Sequence, residues 1–375
     1  MIPNHDLSCE AMTKLTDAWY NHLATSLNLS VHKFQWVQPP VIPNYDDILW
    51  SYFNVVPPPT LTYNRWYYEQ PTFFSAYAAI VNQLVFPDSA FENNIGADNY
   101  AKWTLYLNGL PKPPATNTLP TVWFQWAILY APSVANIGRS DLSYQILIHS
   151  GQSALAQYEG PDAKPVDFSP SLSDLQSTLQ ASPATGFSFN SLNLNPDLSA
   201  SSRPIYDPCF FGLWTGSYAG FHVSKKFAGS SIAVSIRFEH FSVVTVTPGS
   251  WYHSSLLQLA RTSKSTPPWT DPLLWEKYFG ESGTLQHAIG SVLAVDGISL
   301  NLTADTDFTA EEQWAIKTQV EMGYWPLYYP QRPLAGTNTV TFEPGKMTIQ
   351  IESKPGNPVI LGANVLGINY YLGSS

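Results

Sequence analysis

The residues with most chemical reach lie in the second half of the chain. His222, His240, His253 and His287 occur there, with Glu239 beside one of them. Three imidazoles on neighbouring strands would bind Zn2+ or Fe2+, and a histidine beside a carboxylate would serve acid–base catalysis. The spacing requires neither, because HExxH, HxH and CxxC are all absent. No metal and no cofactor is therefore expected. Glu239, His240 and His253 stand as the catalytic candidates of a cofactor-free enzyme. His240 occupies the otherwise apolar face of an alternating strand, where an imidazole must be paired, exposed at a bend or functional.

Asp46-Asp47 and Asp305-Thr306-Asp307 place carboxylates together. Such pairs hold hard cations or share protons, yet in loops and at helix entrances aspartate is ordinary turn chemistry. Gly216-Ser217-Tyr218-Ala219-Gly220 does not meet the GxSxG spacing of a nucleophile elbow. No GxGxxG or phosphate-binding loop occurs either, which argues against a nucleotide-dependent enzyme.

Two aromatic clusters offer binding chemistry instead. Tyr63, Trp66 and Tyr67 lead toward Phe73-Phe74, and Tyr324, Trp325, Tyr328 and Tyr329 are bracketed by Pro326 and Pro330. Trp and Tyr join an apolar body to a polar edge, which suits stacking on sugars or lying at a lipid interface. The alternative is packing inside the core. The prolines favour a loop for the second cluster, so it is the stronger expectation of the two. A third candidate is the stretch 212–247, read as a membrane-inserting hairpin. It would use Trp214, the apolar face Ile232, Val234, Ile236 and Phe238, and Lys225-Lys226 near its tip.

Composition sets the frame for these candidates. The 13 Trp, 21 Tyr and 19 Phe together outnumber the charged residues, and only 12% of 375 residues are charged. Soluble domains usually reach about 25%. The surface must be finished largely by hydroxyls and amides, which suits apolar ligands, lipid headgroups, sugars or self-association. A net charge of −10 with 18 Lys and Arg excludes a nucleic-acid partner. The longest apolar run, Val122 to Ala131, is about half of a membrane span, so no transmembrane segment is expected. The first residues lack a basic and then apolar leader, and the chain is expected to be made as a soluble cytoplasmic protein, with release by a non-classical route open to it. Cys9 and Cys209 are too few for a disulfide scaffold.

The elements that must position these residues change character along the chain. Met12, Leu15, Trp19, Leu23 and Leu27 recur at helical spacing. Apolar stripes or starts also predict helices at 73–84, 98–109, 120–131, 140–158 and 169–179. Prolines separate them. The stretch 181–208 reads as a connector. Beyond it, 231–247 alternates with period two; 17 residues would reach roughly 55 Å unless a bulge near His240–Ser242 breaks the strand. Further strands are predicted at 290–302, 337–343, 346–353 and 357–372. A helix at about 309–321 is capped by Thr309 and Glu312. The fold class is α+β: a helical, proline-rich region over 1–180, the connector 181–208, and a β-rich region over 209–375 with a mainly antiparallel sheet or sandwich.

Three functions fit this reading. One is a soluble binding or membrane-interacting protein, toxin-like or pore-forming, that recognises a glycan, lipid or receptor surface through aromatics and forms a homo-oligomer. The second is an enzyme holding a hydrophobic small molecule in an aromatic-lined cavity. The third is a self-assembling structural protein.

Overall fold

The computed structural model describes residues 6–57, 62–64, 72–193, 212–214, 217–329 and 336–371, with side chains excepted at 6–10, 62–64, 212–214, 217–221, 319–322 and 370–371. The fold is α+β, with helices dominating the first half and a mainly antiparallel sheet the second. Cys9 has an undescribed side chain, and Cys209 lies outside the described residues.

In chain order, the first half holds α1 (Asp6–Ser26), β1 (Phe34–Val41), α2 (Asp46–Phe53), β2 (Thr62–Asn64), α3 (Phe73–Val81), α4 (Asp88–Ile95), α5 (Ala97–Asn108), α6 (Leu119–Tyr130), α7 (Ala135–Leu155), β3 (Phe168–Ser169) and α8 (Leu172–Gln180). There follow β4 (Thr185–Asn190), β5 (Gly212–Trp214), α9 (Ser217–Ala228), β6 (Ser231–Thr245), β7 (Thr247–Pro248), α10 (Ser254–Thr262) and α11 (Leu274–Phe279). The chain closes with β8 (His287–Asp305), α12 (Ala310–Gln319), β9 (Val320–Tyr324), β10 (Gly336–Glu343), β11 (Lys346–Ser353), β12 (Val359–Gly367) and α13 (Ile368–Tyr371). Part of the 181–208 connector is therefore strand, and the predicted strand at 357–372 stops at Gly367 and turns helical.

Two compact units interleave along the chain. Unit 1 comprises Met1–Gln70, Phe168–Thr247 and His287–Gly367; unit 2 comprises Pro71–Asp167, Pro248–Gln286 and Ile368–Ser375. Both units draw on sequence from either side of 181–208.

Unit 1 is organised by two long strands. β6 pairs antiparallel with β8 in one register, from Ser231↔Asp305 to Thr245↔Ser291, and no shift occurs near His240. The opposite edge of β8 is shared. β12 takes residues 287–295 and β11 takes 299–304. Between them the ladder is interrupted, and backbone amides there need other acceptors. The buried Asp296 carboxylate accepts from Gly297 N at 2.9 Å and from Gly356 N at 2.8 Å, while Ser353 Oγ accepts from Ile298 N at 2.7 Å. Gly297 has φ +63°, and a Cβ there would stand 2.6 Å from Glu239 Cγ. The junction thus specifies glycine twice over.

The sheet buries one face in its β4–β6–β8–β11 region. Ile232, Val234, Ile236 and Phe238 of β6 pack with Leu300, Leu302, Ile349 and Ile351. Helices supply the other side of this core, including Trp19 and Leu23 of α1 and Phe227 of α9. Trp19 is its centre, with ring centroids 6.4 Å from Trp36, 5.6 Å from Phe189 and 5.5 Å from Trp325. Among the described residues the indole N–H groups of Trp19, Trp36 and Trp325 meet no acceptor. These rings are held by packing rather than by hydrogen bonds. The predicted capping box is present: Glu312 N donates to Thr309 Oγ1, and Thr309 N donates to Glu312 Oε2.

Two outcomes follow for stability. Asp296→Ala leaves two amides without their acceptor and should cost about 1–3 kcal/mol in urea unfolding, whereas Thr339→Ala on the exposed face should stay within about 0.5 kcal/mol. The second concerns Glu312. Burial pushes its carboxyl up, but the Lys226 ammonium at 2.8 Å and the Thr309 amide prevail and hold it below its ordinary value. Its contribution is therefore present at neutral pH and lost as pH falls through the lowered native value. Both side chains are partly exposed, so Lys226→Met should cost less than about 1 kcal/mol at pH 7. The gap from the parent should close in acid, as read by thermal unfolding across pH.

Candidate functional site

The aromatic cluster Tyr324, Trp325, Tyr328 and Tyr329 is core, contrary to its expected exposure. All four side chains are buried in unit 1. Tyr324 Oη donates to Ile316 O at 3.0 Å, and Asn338 Nδ2 donates to Tyr329 O at 2.9 Å. Trp325 also stacks edge-on against Phe227 at 5.9 Å. The bracketing prolines make the segment irregular, but irregular backbone is buried once its polar groups find partners. Burial pushes the Tyr324 phenol up to about 12 and Tyr328 further in the same direction. In the other cluster, Tyr63 lies on β2 with an undescribed side chain, and Trp66 and Tyr67 fall outside the described residues.

The stretch 212–247 is not a hairpin. Ser217–Ala228 is the helix α9, and Lys225 and Lys226 sit in its last turn, where cations complement the helix dipole. Lys226 is engaged by Glu312. Trp214 lies on the short strand β5, paired with Val320, and its side chain is undescribed. The apolar face Ile232, Val234, Ile236 and Phe238 belongs to the unit 1 core, and β6 is flanked by β4 and β8. Exposing that face to lipid would dismantle the core.

Glu239 and His240 do not form an acid–base pair. Glu239 and His240 are consecutive on an unbroken strand, so their side chains point to opposite sides. Glu239 is exposed and lies beside Gly297; His240 is half-buried with Nδ1 2.9 Å from Ser182 O. His253 belongs to unit 2, where its backbone N donates to Tyr77 Oη at 2.9 Å. His222 is exposed on α9, and burial lowers the pKa of His287. Asp46 Oδ1 accepts from Leu172 N and Asp307 Oδ1 from Gly345 N, so both serve local structure. Among the described residues no group of three His, Cys, Asp or Glu could hold a metal ion.

The surface that stands out is in unit 2 and was not singled out by residue type. Phe91, Trp103, Trp123 and Trp126 form a buried aromatic cluster between α4, α5 and α6. Trp123 is its anchor, lying 5.2 Å from the rings of Phe91, Trp103 and Trp126. Its Nε1 donates to Ala135 O at 2.9 Å, and α7 passes directly over it at Gly138, where a Cβ would lie 2.4 Å from the indole. On this base two tyrosines continue the stack outward. Tyr106 lies 5.6 Å from Trp103 and 6.2 Å from Trp126, and Tyr130 stacks at 5.7 Å on Trp126. Tyr130 is 65% exposed, and Leu105 and Leu129, the sequence neighbours of Tyr106 and Tyr130, are 74% and 73% exposed. Ile128 is exposed as well.

The cause is legible in α6. Its sequence LPTVWFQWAILY is apolar nearly all round, and a surface helix can bury only one stripe. Trp123, Trp126 and Ala127 take the inward stripe, which leaves Ile128, Leu129 and Tyr130 in solvent. The apolar run Val122–Ala131, interrupted only by Gln125, was the available signal. No helix of the described residues is long and apolar enough to cross a membrane. The arrangement is therefore a close-packed aromatic base on helices that also carry an exposed aliphatic and phenolic rim.

Gly138→Ala should force α7 and the Trp123 ring apart. The expected cost is about 1–3 kcal/mol, read by urea unfolding with a shift in tryptophan emission. Leu129→Ser, on the exposed rim, should stay within about 0.5 kcal/mol. Comparison with family models, curated proteins and solved structures finds no match to this chain.

Proposed function

We propose that this chain is a binding protein that attaches to a lipid–water interface through the α5–α6 surface of unit 2. The observation that carries the reading is the exposure of Leu105, Leu129 and Tyr130 on α5 and α6, the two helices whose Trp103 and Trp126 form the aromatic base. Leucine side chains gain by leaving water, at roughly 25 cal/mol per Å². Tyrosines with a free phenolic edge settle at headgroup level. A preorganised base avoids much of the ordering cost of association. Phe124 extends the apolar flank, and the Arg139 guanidinium sits 5.1 Å over its ring. The net charge of −10 disfavours anionic membranes, so the matching surface is zwitterionic. Attachment of this kind leaves the core of unit 1 intact and needs no inserted strand.

Co-sedimentation with phosphatidylcholine vesicles tests this reading. The intact chain should pellet with the vesicles, and Leu129→Asp combined with Tyr130→Ser should lower its partition at least about tenfold. Equal partition of parent and variant, or no binding by either, contradicts it. So does a concentration-dependent oligomer that the same variant dissolves without any vesicle binding, because the surface would then be a contact between copies.

A further inference from the structure

Two adjacent rows of the outward face of the unit 1 sheet are built from neutral side chains, nearly all of them hydrogen-bonding. The register sets Ser188, Ser235, Asn301, Gln350 and Thr339 side by side across β4, β6, β8, β11 and β10. All five are exposed. The next row holds Asn190, Ala233, Thr303, Thr348 and Thr341. Strands lie about 4.8 Å apart, so each row presents hydroxyls and amides at close, regular intervals. Charged rows flank these two on either side, with Arg237 and Glu352 on one and Asp305, Lys346 and Glu343 on the other, and Glu352 already accepts from Ser299 Oγ at 2.8 Å.

At the β4 side this face runs into a cavity of about 490 Å³, within the span of about 300–1,000 Å³ common for small-molecule sites. Ser188, Asn190, Asn193, Ser235, Asn301 and Thr303 line it, and Ala18 and Phe189 add apolar wall. His22 stands at its border, with Nε2 2.7 Å from Ser188 O. Asn190 Oδ1 accepts from Leu192 N, which fixes that amide. The lining contains no Asp, Glu, Lys or Arg.

We infer that this cavity is a binding site for a neutral saccharide. Amides and hydroxyls offer donors and acceptors together, which is what vicinal sugar hydroxyls require. An apolar ligand would strip water from these groups without replacing their hydrogen bonds. An anion or cation would find no opposite charge in the lining. The site belongs to unit 1 and is independent of the lipid-binding reading for unit 2, so either can fail alone.

The test uses the intact chain on an array of neutral, sialylated and sulfated oligosaccharides, followed by calorimetry with the best neutral ligand. Binding should be confined to neutral glycans. Asn301→Ala should weaken it about tenfold, and Ser235→Leu, which replaces a lining hydroxyl with apolar bulk, should abolish it. The Leu129→Asp, Tyr130→Ser variant should bind the same glycan as well as the parent does. Absence of any glycan binding, selection of acidic glycans, or binding indifferent to both Asn301→Ala and Ser235→Leu would overturn the assignment.

Discussion

The β6–β8 ladder is the constraint on which unit 1 depends. β8 serves two neighbours in turn on its far edge, β12 and then β11, while β6 runs along its near edge without a break in register. A strand shared in this way must carry an interruption, and interruptions leave amides that water cannot reach. Asp296 and Ser353 supply the missing acceptors, and Gly297 supplies the backbone conformation. With that junction satisfied, one face of the sheet is free to bury its aliphatic rows and the other to present its hydroxyls. The polar outer face and the dry inner face are two products of the same register.

Aromatic residues do different work in the two units. In unit 1, Trp19, Trp36 and Trp325 fill the interior and have little polar engagement. In unit 2, the cluster around Trp123 is tied to the backbone of α7 and continues outward into Tyr106 and Tyr130. Charge contributes modestly. Lys226–Glu312 is part-exposed and Lys264–Glu276 is wide at 3.6 Å and exposed, so neither is expected to contribute much. A chain with 12% charged residues relies instead on packing and on neutral hydrogen bonds.

Much of the fold was legible because period and punctuation agree locally. The spacing of Met12, Leu15, Trp19 and Leu23 marks α1, the Thr309–Glu312 pair marks the start of α12, and Pro344-Gly345 marks the turn between β10 and β11, where Gly345 takes φ +74°. The extent of β6 was only partly legible: alternation lapses at 240–242, yet pairing with β8 holds in register to Thr245. What failed was the inference from residue type to exposure. Tyr324 and Trp325 look like a binding loop by composition, yet burial depends on neighbours distant in sequence, such as Trp19 and Ile316. The reading of Lys225-Lys226 as a hairpin tip failed for a related reason: small residues around 216–230 permit a turn, but Val223 and Phe227 at helical spacing pack into the core. The α5–α6 surface was missed because an apolar run was judged by its length against a membrane rather than by how much of it one helix could bury.

Two independent recognition surfaces are proposed for the chain, an aliphatic and aromatic rim in unit 2 and a neutral polar cavity in unit 1. The lipid-facing role of the rim is the central claim. Hydrogen–deuterium exchange with and without phosphatidylcholine vesicles tests it most directly, because it maps contact without any substitution. The account predicts added protection confined to peptides covering residues 104–109 and 126–131, with β6 and β8 unchanged. Protection that is absent there, or that appears instead along Ser231–Thr245, would contradict it.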